Sequence, residues 1–299
     1  MKPKIIALVG PTASGKTALG VWLAKQIQKE SCGAEIISAD SRQVYKGLDI
    51  GTGKVTKKEM AGIPHHLLDV ASPKKQFTVD SFVRVAEKAY AGILQKTAIA
   101  IVVGGTGLYV DMFLGRMAYP AVAPNPALRE QLERQTTAQL FAALQKLDPR
   151  RAQNIEPGHK RRLIRAIEIA KAIGKSPLPA PEQKYEVLWL GLKPSQEVLQ
   201  KKIAARLQAR MRLGMIGEAK RLHAKGLSYK RMEELGLEYR SLARFLQKKI
   251  TKKEMGHELE RAIASYAKRQ TRWFKRNQDI HWISGKAEAL KLSKEFLRS

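Results

Sequence analysis

The chain has 299 residues, 44% hydrophobic and 27% charged, a composition that supports a packed core and excludes a largely disordered chain. Its 55 Lys and Arg against 27 Asp and Glu leave a net charge of +28, which points to a polyanionic partner more than to a merely solvated lysine surface. The lone cysteine, Cys32, excludes an internal disulfide or thiolate zinc site, and no apolar run approaches the roughly 20 residues a bilayer span needs.

The first apolar run, Lys4–Val9, reads as a buried strand; it stops at Gly10-Pro11, too short for a signal peptide. The expectation is therefore a cytoplasmic protein, and nothing in the pattern calls for more than a monomer. After the strand comes Gly10-Pro11-Thr12-Ala13-Ser14-Gly15-Lys16-Thr17, which fits G-x-x-x-x-G-K-[ST] and opens a predicted helix, Lys16–Lys29. Strand before and helix after are the context of a P-loop. Its glycines let several N–H groups converge on one anion, Lys16 adds a full charge, and the Thr17 hydroxyl suits Mg²⁺. The loop specifies a phosphate or diphosphate site without specifying ATP.

A second strand, Glu35–Ser38, leads into Ser38-Ala39-Asp40-Ser41-Arg42-Gln43-Val44-Tyr45. Asp40 falls just past the strand's C-terminal end, the edge where open α/β sheets bind ligands. It reads equally as a carboxylate facing a reacting group and as a cap on the following turn. Gly47, Gly51 and Gly53 suggest a tight loop beside the site. His65, His66 and Asp69 lack the second ligand pair of a zinc site. A helix over Val79–Lys96 and a strand over Ala98–Val103 follow, and Gly104-Gly105-Thr106-Gly107-Leu108-Tyr109 then permits close backbone approach to a ligand. No Walker-B Asp ends this strand, which argues against ATP hydrolysis.

Prolines 120, 124 and 126 on one side and 177, 179 and 181 on the other bracket a helical block: Leu128–Arg134, Gln139–Leu147 and His159–Ile173. Such a block reads as an inserted domain; it carries Lys160, Arg161, Arg162 and Arg165. The strand Glu186–Leu190 resumes the α/β rhythm, and the rest reads as helical almost to the end, with turns near 225–228 and 250–253. Along a helix over Glu258–Asn277, Leu259, Ile263, Tyr266, Gln270 and Trp273 share a core-facing stripe. Lys268, Arg269, Arg272, Lys275 and Arg276 cluster elsewhere on it, a repulsion that a nucleic acid relieves. The expected fold is α/β: a P-loop NTPase-like core with a parallel sheet, an inserted all-helical domain and a helical C-terminal region. The expected divisions are 1–118, 119–181 and 182–299. Residues 1–110 carry +7 and residues 111–299 carry +21, so the anion-binding surface belongs mainly to the later part.

GPTASGKT, ADSRQVYKGLDIGTGK, HHLLDV, VVGGTGLY and KRQTRWF, in that order, resemble the tRNA dimethylallyltransferases (tRNA isopentenyltransferases) over essentially the whole chain. The resemblance implies transfer of the dimethylallyl group of dimethylallyl diphosphate to N6 of the adenosine 3′-adjacent to the anticodon, with Mg²⁺ and with the anticodon stem-loop gripped by the core and its insertion. It implies Asp40, Thr17 and Arg206 as catalytic residues, and Gly10–Thr17 as the diphosphate cradle. It also implies tRNA contacts at Asp40, Ser41, Arg42, Gln43, Thr106, Arg161, Arg162, Arg165, Tyr239, Arg240, Lys268, Arg269, Gln270, Arg272 and Lys275. Glu238-Tyr239-Arg240 and Gly158-His159-Lys160 depart from the family's usual Gly-Tyr-Arg and Asn/Asp-containing turn. The lack of a eukaryotic-type C-terminal zinc finger points to the bacterial type. From the residues alone, two competitors stay open: a small-molecule or nucleoside kinase using the same loop, and an RNA-binding module without catalysis.

Overall fold

A computed structural model of the chain describes residues 2–30, 33–117, 120, 122–175 and 183–299. Cys32, the prolines at 177, 179 and 181, and the divisions expected at 118/119 and 181/182 lie outside the described residues. The chain divides into two compact units, Met1–Gly115 with Gln183–Ser299, and Arg116–Glu182.

In chain order the elements of the first unit's leading part are β1 (Lys4–Val9), α1 (Lys16–Glu30), β2 (Ala34–Ser38), α2 (Lys57–Met60), β3 (His65–His66), α3 (Val79–Gln95), β4 (Ile99–Gly104) and α4 (Gly107–Phe113). The second unit holds α5 (Pro126–Glu133), α6 (Thr137–Leu147), α7 (Pro149–Gln153) and α8 (Lys160–Ile173). The first unit resumes with β5 (Glu186–Leu192), α9 (Gln196–Arg212), α10 (Met215–Ala224), α11 (Tyr229–Leu235), α12 (Leu237–Leu246), α13 (Lys252–Phe274), β6 (His281–Ile283) and α14 (Lys286–Arg298).

The six strands form one parallel sheet in the order β3-β2-β4-β1-β5-β6. Parallel strands buried on both faces need apolar residues at every position, which is what Ile5–Val9 and Ala100–Val103 supply. Ile5, Ala7 and Val9 pack on one face with Phe82, Phe113 and Phe274; Ile6 and Leu8 pack on the other with Leu19 and Leu23 of α1. A separate helical core joins Val44 and Leu48 to α9–α13. The P-loop follows β1, Asp40 follows β2 and Gly104-Gly105 ends β4, so three strand ends converge on the sheet's C-terminal edge.

The chain is not helical almost to its end, as the sequence pattern suggested: β6 interrupts it, a three-residue edge strand paired to β5. The basic helix α13 begins at Lys252, six residues before the expected Glu258, because Thr251 and Glu254 form a reciprocal capping box. Its buried side is Met255, Leu259, Ile263, Ala267, Gln270 and Phe274, whereas Tyr266 and Trp273 are only half-buried. Among the described residues no helix is long and apolar enough to cross a membrane.

In the helical unit, Leu132, Leu140, Leu144, Leu163 and Ile167 make the core. One ionised group ties it together. Glu168 accepts hydrogen bonds from the Asn125 amide (2.6 Å) and from Nε and Nη2 of Arg129 (3.0 and 2.8 Å), and pairs with Arg165. Burial pushes its carboxyl up, but Arg129, the Asn125 amide and Arg165 outweigh this and bring it down to about 2.

Candidate active site

The sharp turn from β1 into α1 requires glycine at its first position, while Ala13 within it also takes a positive φ of 61°. Gly10 has φ +145°, and a Cβ there would lie 2.5 Å from the Leu192 carbonyl oxygen. The loop closes on itself: Ser14 N–H and Lys16 Nζ both donate to the Pro11 carbonyl, at 3.3 and 2.6 Å. Ser14 Oγ is buried without a partner among the described residues. Burial pulls the Lys16 ammonium down to about 7; Asp40 acts in the opposite sense and Arg206 reinforces the drop. A cation this poorly solvated favours an incoming anion.

Across from the loop, Asp40 Oδ1 accepts the amide hydrogens of Arg42 (2.8 Å) and Gln43 (3.2 Å). Asp40 therefore does cap the following turn, and Oδ2 is left unbonded among the described residues. Thr106 Oγ1 accepts the Ser41 amide at 3.0 Å, tying the β2 and β4 ends together. Arg206, from α9, donates through Nη2 to the Gly53 carbonyl at 2.8 Å. Thr12, Lys16, Thr17, Asp40, Gln43 and Arg206 all line one cavity of about 830 Å³, whose apolar wall includes Val21, Trp22, Ile36, Val55 and Ala205. The volume is that of a small-molecule site, and its lining sets the cations Lys16 and Arg206 beside the carboxylates of Asp40 and Glu59.

Among the described residues no group of three or more His, Cys, Asp and Glu can hold a metal ion. His65 and His66 instead form β3, and His66 Nε2 lies 2.6 Å from Glu35. The exposed Thr17 on the cavity nevertheless fits Mg²⁺, which takes one or two protein oxygens and fills its shell with phosphate and water.

The residues expected to touch RNA separate into two groups. Arg161, Arg162, Arg240, Lys268, Arg269, Arg272 and Lys275 are exposed, while Ser41, Arg42, Gln43 and Thr106 are half-exposed, and of these four Gln43 lines the cavity. Two of the residues expected to touch RNA are buried, and Gln270 nevertheless lines the cavity. Tyr239 is 1% exposed and its hydroxyl donates to Glu218 Oε1 (2.7 Å), so it has no surface for RNA. Gln270 is also buried: Oε1 accepts the Thr12 amide (2.7 Å) and Nε2 donates to the Gly105 carbonyl (2.8 Å), bracing the P-loop against the end of β4. Arg165 is partly committed, pairing with Glu168 and donating to the Val122 carbonyl at 2.8 Å.

Sequence pattern alone did not single out the buried Glu218, and it offers Arg210 only as one of the basic residues clustered over 206–212, whereas the structure buries it. A signal existed, since Glu218 shares its helical stripe with Met215, Ala219 and Leu222. Nor did it single out the pairing of the Trp273 indole, which donates to Asp111 Oδ2 at 2.7 Å and carries the Arg276 guanidinium 4.1 Å above its ring.

Residues 43–277 match the family model described as IPP transferase, and residues 3–78 one described as isopentenyl transferase. The chain is 40% identical to tRNA dimethylallyltransferase 1 of Geotalea uraniireducens, over 100% of this chain and 98% of that one. It is 37% identical to the tRNA dimethylallyltransferase of Anoxybacillus flavithermus, over 95% and 91%. Among solved structures, the tRNA isopentenylpyrophosphate transferase of Bacillus halodurans superposes with a TM-score of 0.73 at 34% identity, covering 99% of this chain and 96% of that one. A eukaryotic dimethylallyltransferase acting on tRNA shares the fold at a TM-score of 0.86 and 24% identity, covering 99% and 80%.

Proposed function

The chain belongs to the IPP transferase family, and on that premise we propose that it transfers the dimethylallyl group of dimethylallyl diphosphate to N6 of the adenosine 3′-adjacent to the anticodon of a tRNA. The products are N6-dimethylallyladenosine and diphosphate. One observation carries the reading: the P-loop cation Lys16, the hydroxyl of Thr17, the carboxylate of Asp40 and the guanidinium of Arg206 line a single cavity.

In this reading the P-loop amides, Lys16 and Arg206 bind the diphosphate. As the C1–O bond breaks, negative charge gathers on the leaving group, and donors already aimed at it stabilise the transition state more than the ground state. Asp40 faces the exocyclic amine. Its carboxylate does not deprotonate a neutral amine, but it orients N6 and takes the proton released as the N6–C1 bond forms. Mg²⁺, held by Thr17 together with the diphosphate, would neutralise part of the leaving group's charge. The adenine has to leave the anticodon-loop stack, at a cost of a few kcal/mol that contacts to the exposed cations Lys268, Arg272 and Lys275 offset. On the helical unit, Arg161 and Arg162 offer further backbone contacts. The proposal extends to a monomer acting in the cytoplasm, where tRNA is met.

The test is incubation of the protein with bulk tRNA, dimethylallyl diphosphate and Mg²⁺, followed by nucleoside analysis. N6-dimethylallyladenosine is the expected product. Binding of tRNA with no modified nucleoside, or phosphorylation dependent on ATP, would refute the reading.

A further inference from the structure

The glycine-marked loop after Tyr45 is fastened by buried charge. Glu218 on α10 is 4% exposed. Its Oε2 accepts the amide hydrogens of Asp49 (3.0 Å) and Ile50 (2.7 Å), and its Oε1 accepts the Gly51 amide (2.9 Å) and the Tyr239 hydroxyl (2.7 Å). Arg210, also buried, donates from Nη1 to the Gly51 carbonyl (2.6 Å) and to Glu238 Oε1 (2.8 Å). A desolvated carboxylate holding four donors is a rigid anchor, since each bond is charge-assisted and none is easily replaced by water.

The anchored loop does something specific at its far end. The Gly53 carbonyl accepts from Arg206 Nη2 (2.8 Å) and Gln43 Nε2 (3.3 Å), and both side chains line the cavity. The approach is close: Gly53 has φ +58°, and a Cβ there would displace the Arg206 guanidinium. At Gly51 a Cβ would lie 2.6 Å from the Tyr239 hydroxyl.

We propose that Glu218 is a positioning residue for prenyl transfer, fixing loop 49–53 so that the Gly53 carbonyl holds the Arg206 guanidinium toward the diphosphate. This rests on the reading that the prenyl diphosphate occupies the cavity. A glutamine at 218 is the same size, but it offers one acceptor oxygen and turns an NH₂ group toward at least one backbone N–H that needs an acceptor. The loop and Arg206 then lose their fixed position while the fold persists.

Steady-state kinetics with tRNA and dimethylallyl diphosphate test this. Glu218→Gln should lower kcat/KM for dimethylallyl diphosphate by about tenfold or more, mainly through KM, and leave the KM for tRNA within about twofold. Tyr239→Phe should act in the same direction and more weakly. In an Arg206→Ala background the further effect of either change should shrink to less than about threefold, because the path runs through Arg206. Wild-type kinetics in Glu218→Gln, or an effect undiminished in the Arg206→Ala background, would overturn the inference. If Glu218→Gln does not fold, the double-mutant cycle of Tyr239→Phe with Arg206→Ala distinguishes the same two outcomes. An inactive wild-type protein in this assay would overturn the functional reading itself.

Discussion

The two oxygens of Asp40 have different employments. Oδ1 is committed to the amides of Arg42 and Gln43, which fixes the carboxylate's plane, and the proposed chemistry uses Oδ2. Asp40→Asn separates these tasks, because an amide oxygen still caps the turn while the group no longer accepts a proton. Turnover is expected to fall by about 10²–10⁴-fold with dimethylallyl diphosphate affinity nearly unchanged, as read by single-turnover kinetics and equilibrium binding. Near-normal turnover would remove Asp40 from the chemistry. The sequence offered cap and reacting carboxylate as rival readings of this residue, and spacing cannot weigh them, since both need the same atom at the same strand end. Depth was equally hidden. Gln270 sits among the exposed Lys268, Arg269 and Arg272 and Tyr239 directly precedes the exposed Arg240, yet each turns inward to satisfy a buried donor or acceptor.

At the scale of elements, α13 joins two functions on opposite sides. Its inner side braces the P-loop through Gln270, and its outer side exposes Lys268, Arg269, Arg272 and Lys275. Neutralising Lys268 or Arg272 should reduce the salt slope of tRNA binding by roughly 0.7–0.9 each, without dependence on tRNA sequence; unchanged slopes would take them out of the interface. The 3.6-residue periodicity made the basic side legible. The helix start was less so, because the Thr251–Glu254 box precedes any clear apolar stripe.

The helical unit depends on Glu168. Its carboxyl lies at about 2, below the 4.5 ordinary for glutamate. The stabilisation is therefore complete above about pH 4.5 and is lost as the pH falls through about 2. Glu168→Gln should cost the unit about 3 kcal/mol near neutrality. In urea unfolding followed by far-UV circular dichroism, the gap to wild type should narrow between pH 4.5 and 2. A gap constant with pH would show that Glu168 contributes shape and not charge.

For the whole molecule, the parallel sheet was legible because strands buried on both faces leave short, largely apolar runs, as the four longer strands do. The other two, β3 and β6, span two and three residues at the edges of the sheet. Pairing on one side and short length leave no periodic signal there. The site divides along the same line. The P-loop and Asp40 are local in sequence and were readable, whereas the Glu218 anchor joins residues some 170 positions apart and exists only after folding. The charge of +28 has a consequence at this scale too, steering a polyanion toward the molecule before any specific contact forms.

The most direct test of the account is a crystal structure of the protein with a non-hydrolysable dimethylallyl diphosphate analogue and an anticodon stem-loop. Both phosphoryl groups are expected on the amides of residues 12–17 beside Lys16, with adenosine N6 within hydrogen-bond reach of Asp40. Phosphoryl groups bound outside that loop, or an adenine whose N6 faces away from Asp40, would contradict it.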